Sequence, residues 1–174
     1  MNPQQKRNAR RHLRLVCGAL ILGLGGSLTA AAQTVAPAAP PAGGPPTPAK
    51  QAIDYRKAVF TLIGGNFRPL GEVLQGKSPY DAAEAQKRAA RLQFLAGLLD
   101  ESFPDVSSTG DTRAKPEIWS NRADFNSKLK DFQDHIAVLT QVASRADSTA
   151  DQFKAAAGAV GQDCKGCHET YRTK

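Results

Sequence analysis

The chain has 174 residues, 41% of them hydrophobic, and carries 23 lysines and arginines against 16 aspartates and glutamates, a formal net charge of +7. That surplus is local: Lys6, Arg7, Arg10, Arg11 and Arg14 fall in residues 1–32 with no acidic residue among them, and the remainder holds 18 basic against 16 acidic residues, or +2. A balance so close to neutral gives no support for a nucleic-acid partner.

Residues 1–32 read as a cleavable signal peptide. The basic start leads into an apolar, glycine-rich run from Leu15 to Leu28, too short to span a bilayer comfortably, and Ala30-Ala31-Ala32 supplies an A-x-A cleavage pattern before Gln33. Cys17 opens the apolar run rather than following it, so it is not placed as a lipoprotein cysteine and leaves with the segment. Residues 33–49 contain Pro37, Pro40, Pro41, Pro45, Pro46 and Pro48 among alanines and glycines, which predicts a disordered or polyproline tether. Residues 50–174 are one domain's worth of chain, long enough to bury a core. Export places this domain in the periplasm, free of the membrane once the signal is cut.

Four helices are predicted in that domain. In the first, Phe60, Ile63, Phe67, Leu70 and Leu74 step by three and four, the apolar stripe of a bundle helix, with Gly64, Gly65 and Pro69 expected to kink or loosen it. The second opens at Ser78 as N-cap and Pro79 as first residue, and its stripe is Ala85, Ala89, Leu92, Ala96 and Leu99. Residues 101–116 form a polar loop, long for a helix–helix connection, which implies either flexibility or a place beside a cofactor. The third helix starts near Pro116 and runs to about Arg145 along Phe125, Leu129, Phe132, Ile136, Leu139 and Ala143. The fourth starts with Ser148 as N-cap, three residues before Asp151, and buries Phe153, Ala157, Val160, Cys164, Cys167 and Tyr171. Four amphipathic helices make an all-α, antiparallel up-down-up-down four-helix bundle.

The last helix carries the chemistry. Cys164-x-x-Cys167-His168 is the spacing that attaches a c-type haem: two thioethers to the vinyl groups and an imidazole to the iron, all on one helical face. A zinc site would need a second ligand pair, and only Cys17, His12 and His135 remain. A redox dithiol would want a thioredoxin-like strand–helix context, and none is present. The motif predicts one haem c per chain, covalent through Cys164 and Cys167, with His168 on the iron. The sole methionine is Met1, which leaves with the signal peptide, so no methionine remains for a sixth ligand. His135 reads as a surface or boundary residue and Lys57 as solvated. The iron is therefore expected to be five-coordinate, with an open position for a gas.

Four stretches resemble the cytochrome c′ family, in order and over essentially all of 50–174: Tyr55-Arg56-Lys57-Ala58-Val59-Phe60, Pro79-Tyr80-Asp81-Ala82-Ala83, Ala114-Lys115-Pro116-Glu117-Ile118-Trp119 and Cys164 to Arg172. The resemblance implies a high-spin haem enclosed by the bundle. It implies that Arg56 contacts a haem propionate, that Lys57 stands where the family has glutamine, and that Arg172 flanks the proximal imidazole. It points to Thr112 and Arg113 as further propionate neighbours, against the alternative of solvated loop side chains. Phe60 replaces a common leucine over the open face, a reading compatible with ordinary core packing. An apolar lid gives bound O₂ no polar support and favours nitric oxide, with carbon monoxide a second ligand; NO is expected to displace or bypass His168 while Arg172 shapes that side. The function read from this is NO sequestration or transport. The alternative is a one-electron carrier with an unidentified redox partner. An enzyme is the weaker option, since no distal His/Arg pair is available to polarise a peroxide. The alanine-rich second helix fits a homodimer interface as well as an intrachain contact.

Overall fold

Thr47 sets the first boundary: its hydroxyl accepts from the backbone N–H of Lys50 at 3.2 Å, and Pro48 follows at the position where a helix has no use for an N–H. In the computed structural model, which describes residues 44–174, the helix so started, α1, spans Pro48–Leu74. The signal peptide and most of the proline-rich stretch lie outside the described residues, and helix begins two residues before the expected domain start at 50. The remaining elements are α2 (Ala82–Gly97), the short α3 (Glu117–Ser120), α4 (Arg122–Ser144) and α5 (Ala150–Tyr171), with a turn of 3₁₀ helix at Asp105–Ser107. Among the described residues the one β element is an isolated bridge between Ala114 and Arg172. The chain is an antiparallel four-helix bundle in which α4 packs on α2 and α5, and α1 on α2 and α5.

Pro69 does not break α1. A proline leaves the carbonyl four residues earlier, Gly65, without its helical donor, and Arg88 of α2 donates to that carbonyl at 3.3 Å. The expected interruption is thus confined to one backbone bond, replaced from the neighbouring helix. The helix stops where Gly76 takes φ +69°, with Gly76 N–H bonded to Val73 O and Lys77 N–H to Glu72 O, a Schellman motif that satisfies two terminal carbonyls.

Three predicted boundaries shift. The N-cap of α2 is Asp81, accepting from Glu84 N–H at 2.9 Å, rather than Ser78, because Ser78 still belongs to the turn that closes α1 and its N–H reaches back to Glu72 O. Pro116 opens only the single turn of α3; non-helical backbone at Asn121 (φ −121°, ψ 53°) separates it from α4. The N-cap of α5 is Thr149, one residue beyond Ser148. Thr149 has Gln152 at the third helical position, and the two exchange bonds of 3.2 and 3.0 Å in a capping box, which Ser148 and Asp151 cannot complete as a pair.

The predicted stripes of α2, α4 and α5 are largely buried. That of α1 is shifted: Ile53, Arg56, Val59, Ile63, Leu70 and Val73 are buried, whereas Phe60 is 37% exposed and Phe67 and Leu74 only partly buried. The reason is that α1 serves two surfaces. One face packs against α2 and α5; the adjacent face, carrying Phe60 and Phe67, borders a cavity. One aliphatic core runs through the bundle from Val59 to Val160, and a second, aromatic cluster of Phe103, Ile118, Phe125 and Tyr171 closes the cavity end.

Candidate functional site

The cavity encloses about 750 Å³, within the roughly 300–1,000 Å³ expected for a cofactor pocket. Its floor is the last two turns of α5. Cys164, Cys167, His168 and Arg172 all border it, as their spacing on one helical face requires. Burial pushes the Cys164 thiol up to about 11, with the neighbouring Asp163 adding to the effect, and burial raises Cys167 as well. Thiols raised in this way are the opposite of the depressed thiols of a redox dithiol. His168 is held below its ordinary value by burial, then by the cations Arg172 and Arg113, so the imidazole is neutral and able to act as a ligand at neutral pH.

Opposite the motif stands α1, contributing Phe60, Thr61, Gly64 and Phe67 to the wall. The Thr61 hydroxyl is committed to its own helix, donating to Lys57 O at 2.8 Å, so it adds no free donor to this face. Phe60 meets Phe103 edge-on at 6.1 Å; Phe103 meets Phe125 at 4.8 Å, and Phe125 meets Tyr171 at 5.4 Å. This aromatic chain joins the wall from α1 to the end of α5.

Arg56 is the unusual residue. It is 4% exposed, and its guanidinium donates to Ser102 O (3.2 Å), Ser107 Oγ (2.7 Å), Ser107 O (3.3 Å) and Thr112 Oγ1 (2.8 Å) while lying 4.9 Å from the centre of the Phe103 ring. Burial lowers its pKa, and every one of these partners is neutral. A buried cation bordering a cavity with no carboxylate among its partners is a place for an anionic group. Lys57 also borders the cavity and pairs with Asp111 at 2.8 Å on the exposed side.

All nine residues singled out in the sequence border this one cavity: Arg56, Lys57 and Phe60 from α1, Thr112 and Arg113 from the loop, and Cys164, Cys167, His168 and Arg172 from α5. Their geometries differ from the expected ones in two places. Thr112 accepts from Arg56 and from Ala114 N–H (3.1 Å), and Arg113 spends its guanidinium on Thr173 O, at 3.1 and 2.8 Å. Arg172 Nη1 lies 3.2 Å from His168 Nδ1. His135 does not border the cavity; its Nδ1 is 2.7 Å from Asp163 Oδ2, and Asp163 does border it. The loop serines escaped sequence reading, because a polar loop has no periodicity to mark which hydroxyl turns inward. Phe103 escaped for the same reason; its neighbours in sequence, Ser102 and Pro104, give no face to assign it to.

The donor set fits a haem c. Two sulfurs and an imidazole project from one stretch of helix into a space of suitable volume, an apolar wall faces them, and a buried guanidinium borders the same space.

The comparisons agree. The family model described as Cytochrome C′ matches residues 51–172. Cytochrome c′ of Alcaligenes xylosoxydans xylosoxydans is 38% identical over 125 residues, covering 72% of this chain and 95% of the relative. Cytochrome c prime from Shewanella frigidimarina superposes with a TM-score of 0.68 at 40% identity, over 72% of this chain and 97% of that one. A nitric oxide complex of a mutant of cytochrome c prime from Alcaligenes xylosoxidans superposes with a TM-score of 0.66 at 36% identity, again over 72% and 97%, and a carbon-monoxide-bound variant gives the same values. Nearly the whole of each relative is covered, so the likeness extends to the complete bundle.

Proposed function

The chain belongs to the cytochrome c′ family, and we propose that it binds nitric oxide, and carbon monoxide as a second ligand, for NO sequestration or transport in the periplasm after cleavage of residues 1–32. It carries haem c covalently through Cys164 and Cys167. His168 is the single protein ligand of the iron. A haem so held supplies an open iron position to diatomic gases.

The observation that carries the proposal is the composition of the cavity wall. Among the described residues it contains one histidine, His168, and no methionine, and the face opposite carries Phe60, Gly64, Phe67 and Thr61, whose hydroxyl is spent on Lys57 O. Phe60 and Phe67 exclude water and offer no hydrogen bond, which removes the advantage of O₂ and leaves ligands chosen by the strength of their bond to iron. Arg56 and, more weakly, Lys57 hold the propionate edge. Thr112 serves by orienting Arg56. Arg113 acts on the other side, through the chain end it binds, and Arg172 meets His168 directly. These roles describe a binding protein rather than a catalyst.

Absorption spectra of the purified protein, ferric and ferrous, with and without NO, test this. High-spin spectra that shift with NO support it. Low-spin spectra in both oxidation states overturn it and favour the one-electron carrier, with a lysine of the cavity wall, Lys57 or Lys128, as sixth ligand. On the question of side, an NO titration reaching a five-coordinate spectrum supports release of His168, and one that ends at six-coordinate excludes it. The exposed Leu62 on α1 and Phe94 on α2 (54% and 70% accessible) further support a homodimer through these two helices. Sedimentation of Phe94→Lys against wild type checks that: an unchanged dimer at the same concentration removes Phe94 from the interface.

A further inference from the structure

Past the end of α5 the backbone at Arg172 is extended (φ −125°, ψ 134°), yet its side chain folds back one turn to His168 Nδ1. An extended residue beyond a helix end has little of its own to hold that pose. The restraint comes from the loop. Lys115 N–H donates to Tyr171 O at 3.0 Å and Thr173 N–H to Arg113 O at 2.9 Å, one bond on each side of Arg172, while Ala114 bridges to Arg172 itself. Two side chains repeat the attachment. Arg113 grips Thr173 O through Nε and Nη2, and Lys115 Nζ donates to Glu169 O (3.3 Å) and Thr170 O (2.9 Å), capping open carbonyls at the negative end of α5.

The loop is fixed at its other end too. Thr112 is held by Arg56 of α1, and Gly110 adopts φ +123° where a Cβ would lie 2.9 Å from Ile53 Cδ1, so only glycine lets the loop pass that close to α1. Among the described residues, none of Arg113, Lys115 and Arg172 has a carboxylate within ion-pair distance, although all three meet on one short stretch. Like charges gather there against their mutual repulsion because backbone bonds, not ion pairs, place them.

We propose that Thr112–Lys115 is a strap that positions Arg172 against His168, making Arg113 and Lys115 positioning residues that tune how firmly the imidazole is offered to the iron. A guanidinium has donors and no acceptor. With Nε2 as the ligand atom the neutral ring would carry its proton on Nδ1, where Arg172 offers no acceptor and its charge draws electron density from the ring, so a fixed Arg172 weakens the ligand and a freed one restores it. The inference rests on His168 being the iron ligand and does not depend on which side NO binds.

Resonance Raman spectroscopy of the ferrous, ligand-free holoprotein reads this through the iron–histidine stretching frequency. Arg172→Ala is expected to raise the frequency. Arg113→Ala and Lys115→Met are expected to shift it in the same direction by part of that amount, and Arg113→Lys to recover part of the loss. A strap with a purely structural role would lower the melting temperature and leave the frequency where it was; that result overturns the proposal, as does an Arg172→Ala protein with the wild-type frequency. A wild-type spectrum with no iron–histidine band, unchanged in His168→Ala, overturns the ligand assignment itself and is distinguishable from both.

Discussion

The two ends of the bundle are built on different terms. At the end where α1 stops and α5 starts, Leu70, Ala85, Ala89, Leu139, Ala143, Phe153 and Ala157 interlock as an apolar core, and the Phe153 ring meets that of Tyr80 at 5.0 Å. At the other end the helices stand apart around the cavity, and the space between them is bounded by aromatic rings, a buried arginine and a hydrogen-bonded loop. The first end is held by contact among side chains. The second is held by directional bonds, because its interior volume is reserved for a group that the twenty amino acids do not provide. A bundle can leave one end open in this way only when the other end is packed well enough to fix the helices in register.

The packed end is the more sensitive to substitution. Phe153→Ala is expected to cost about 3–5 kcal/mol, while Phe60→Ala, at a residue 37% exposed to the cavity side, costs under about 1 kcal/mol and raises the rate of gas entry instead. Urea titration of the two holoproteins checks this, and equal losses would erase the distinction between the ends. Next in size is Arg56→Met, which leaves the Ser102 carbonyl and the Ser107 and Thr112 hydroxyls without their donor and is expected to cost about 2–3 kcal/mol. The same titration measures it, and a loss as small as that of a surface lysine would show that the loop is held by something else.

Tyr171→Phe sharpens the open end further. The Tyr171 hydroxyl donates to Asp124 Oδ2 at 2.5 Å, and burial, reinforced by that carboxylate, pushes its pKa from 10.0 to about 12. The protonated phenol is thus the form that favours folding. Its contribution is complete below about pH 10 and disappears as pH rises through about 12. The substitution is expected to cost about 1–2 kcal/mol at neutral pH and to remove this part of the alkaline loss, which melts between pH 7 and about 12 would reveal. A smaller effect than these is expected at the packed end, where Thr149→Ala opens the capping box of α5 for about 1 kcal/mol; a lower urea midpoint with an unchanged slope is the expected result.

Much of the packed end was legible in advance, since Ala85, Ala89, Leu92, Ile136, Leu139 and Val160 repeat at helical spacing and are buried. The haem motif was equally legible, because two cysteines and a histidine within one turn meet by helix geometry alone. Arg56 was reachable only through the family resemblance; by charge it belonged on the surface, and nothing in the residues around it announces four neutral partners 46 to 56 positions away. Arg113 was assigned to the right cavity for a reason that differs from its observed bonds, which go to Thr173.

From the amino-acid order alone came the four helices, the attachment point of the cofactor and the absence of a methionine from the chain beyond Met1. Each is local, set by spacing within a few turns or by composition. Tertiary structure decided that Pro69 would be tolerated because Arg88 reaches Gly65, and that the 112–115 loop would clasp the end of α5. Those outcomes depend on what lies across the bundle, and side-chain spacing along one helix holds no record of its neighbours.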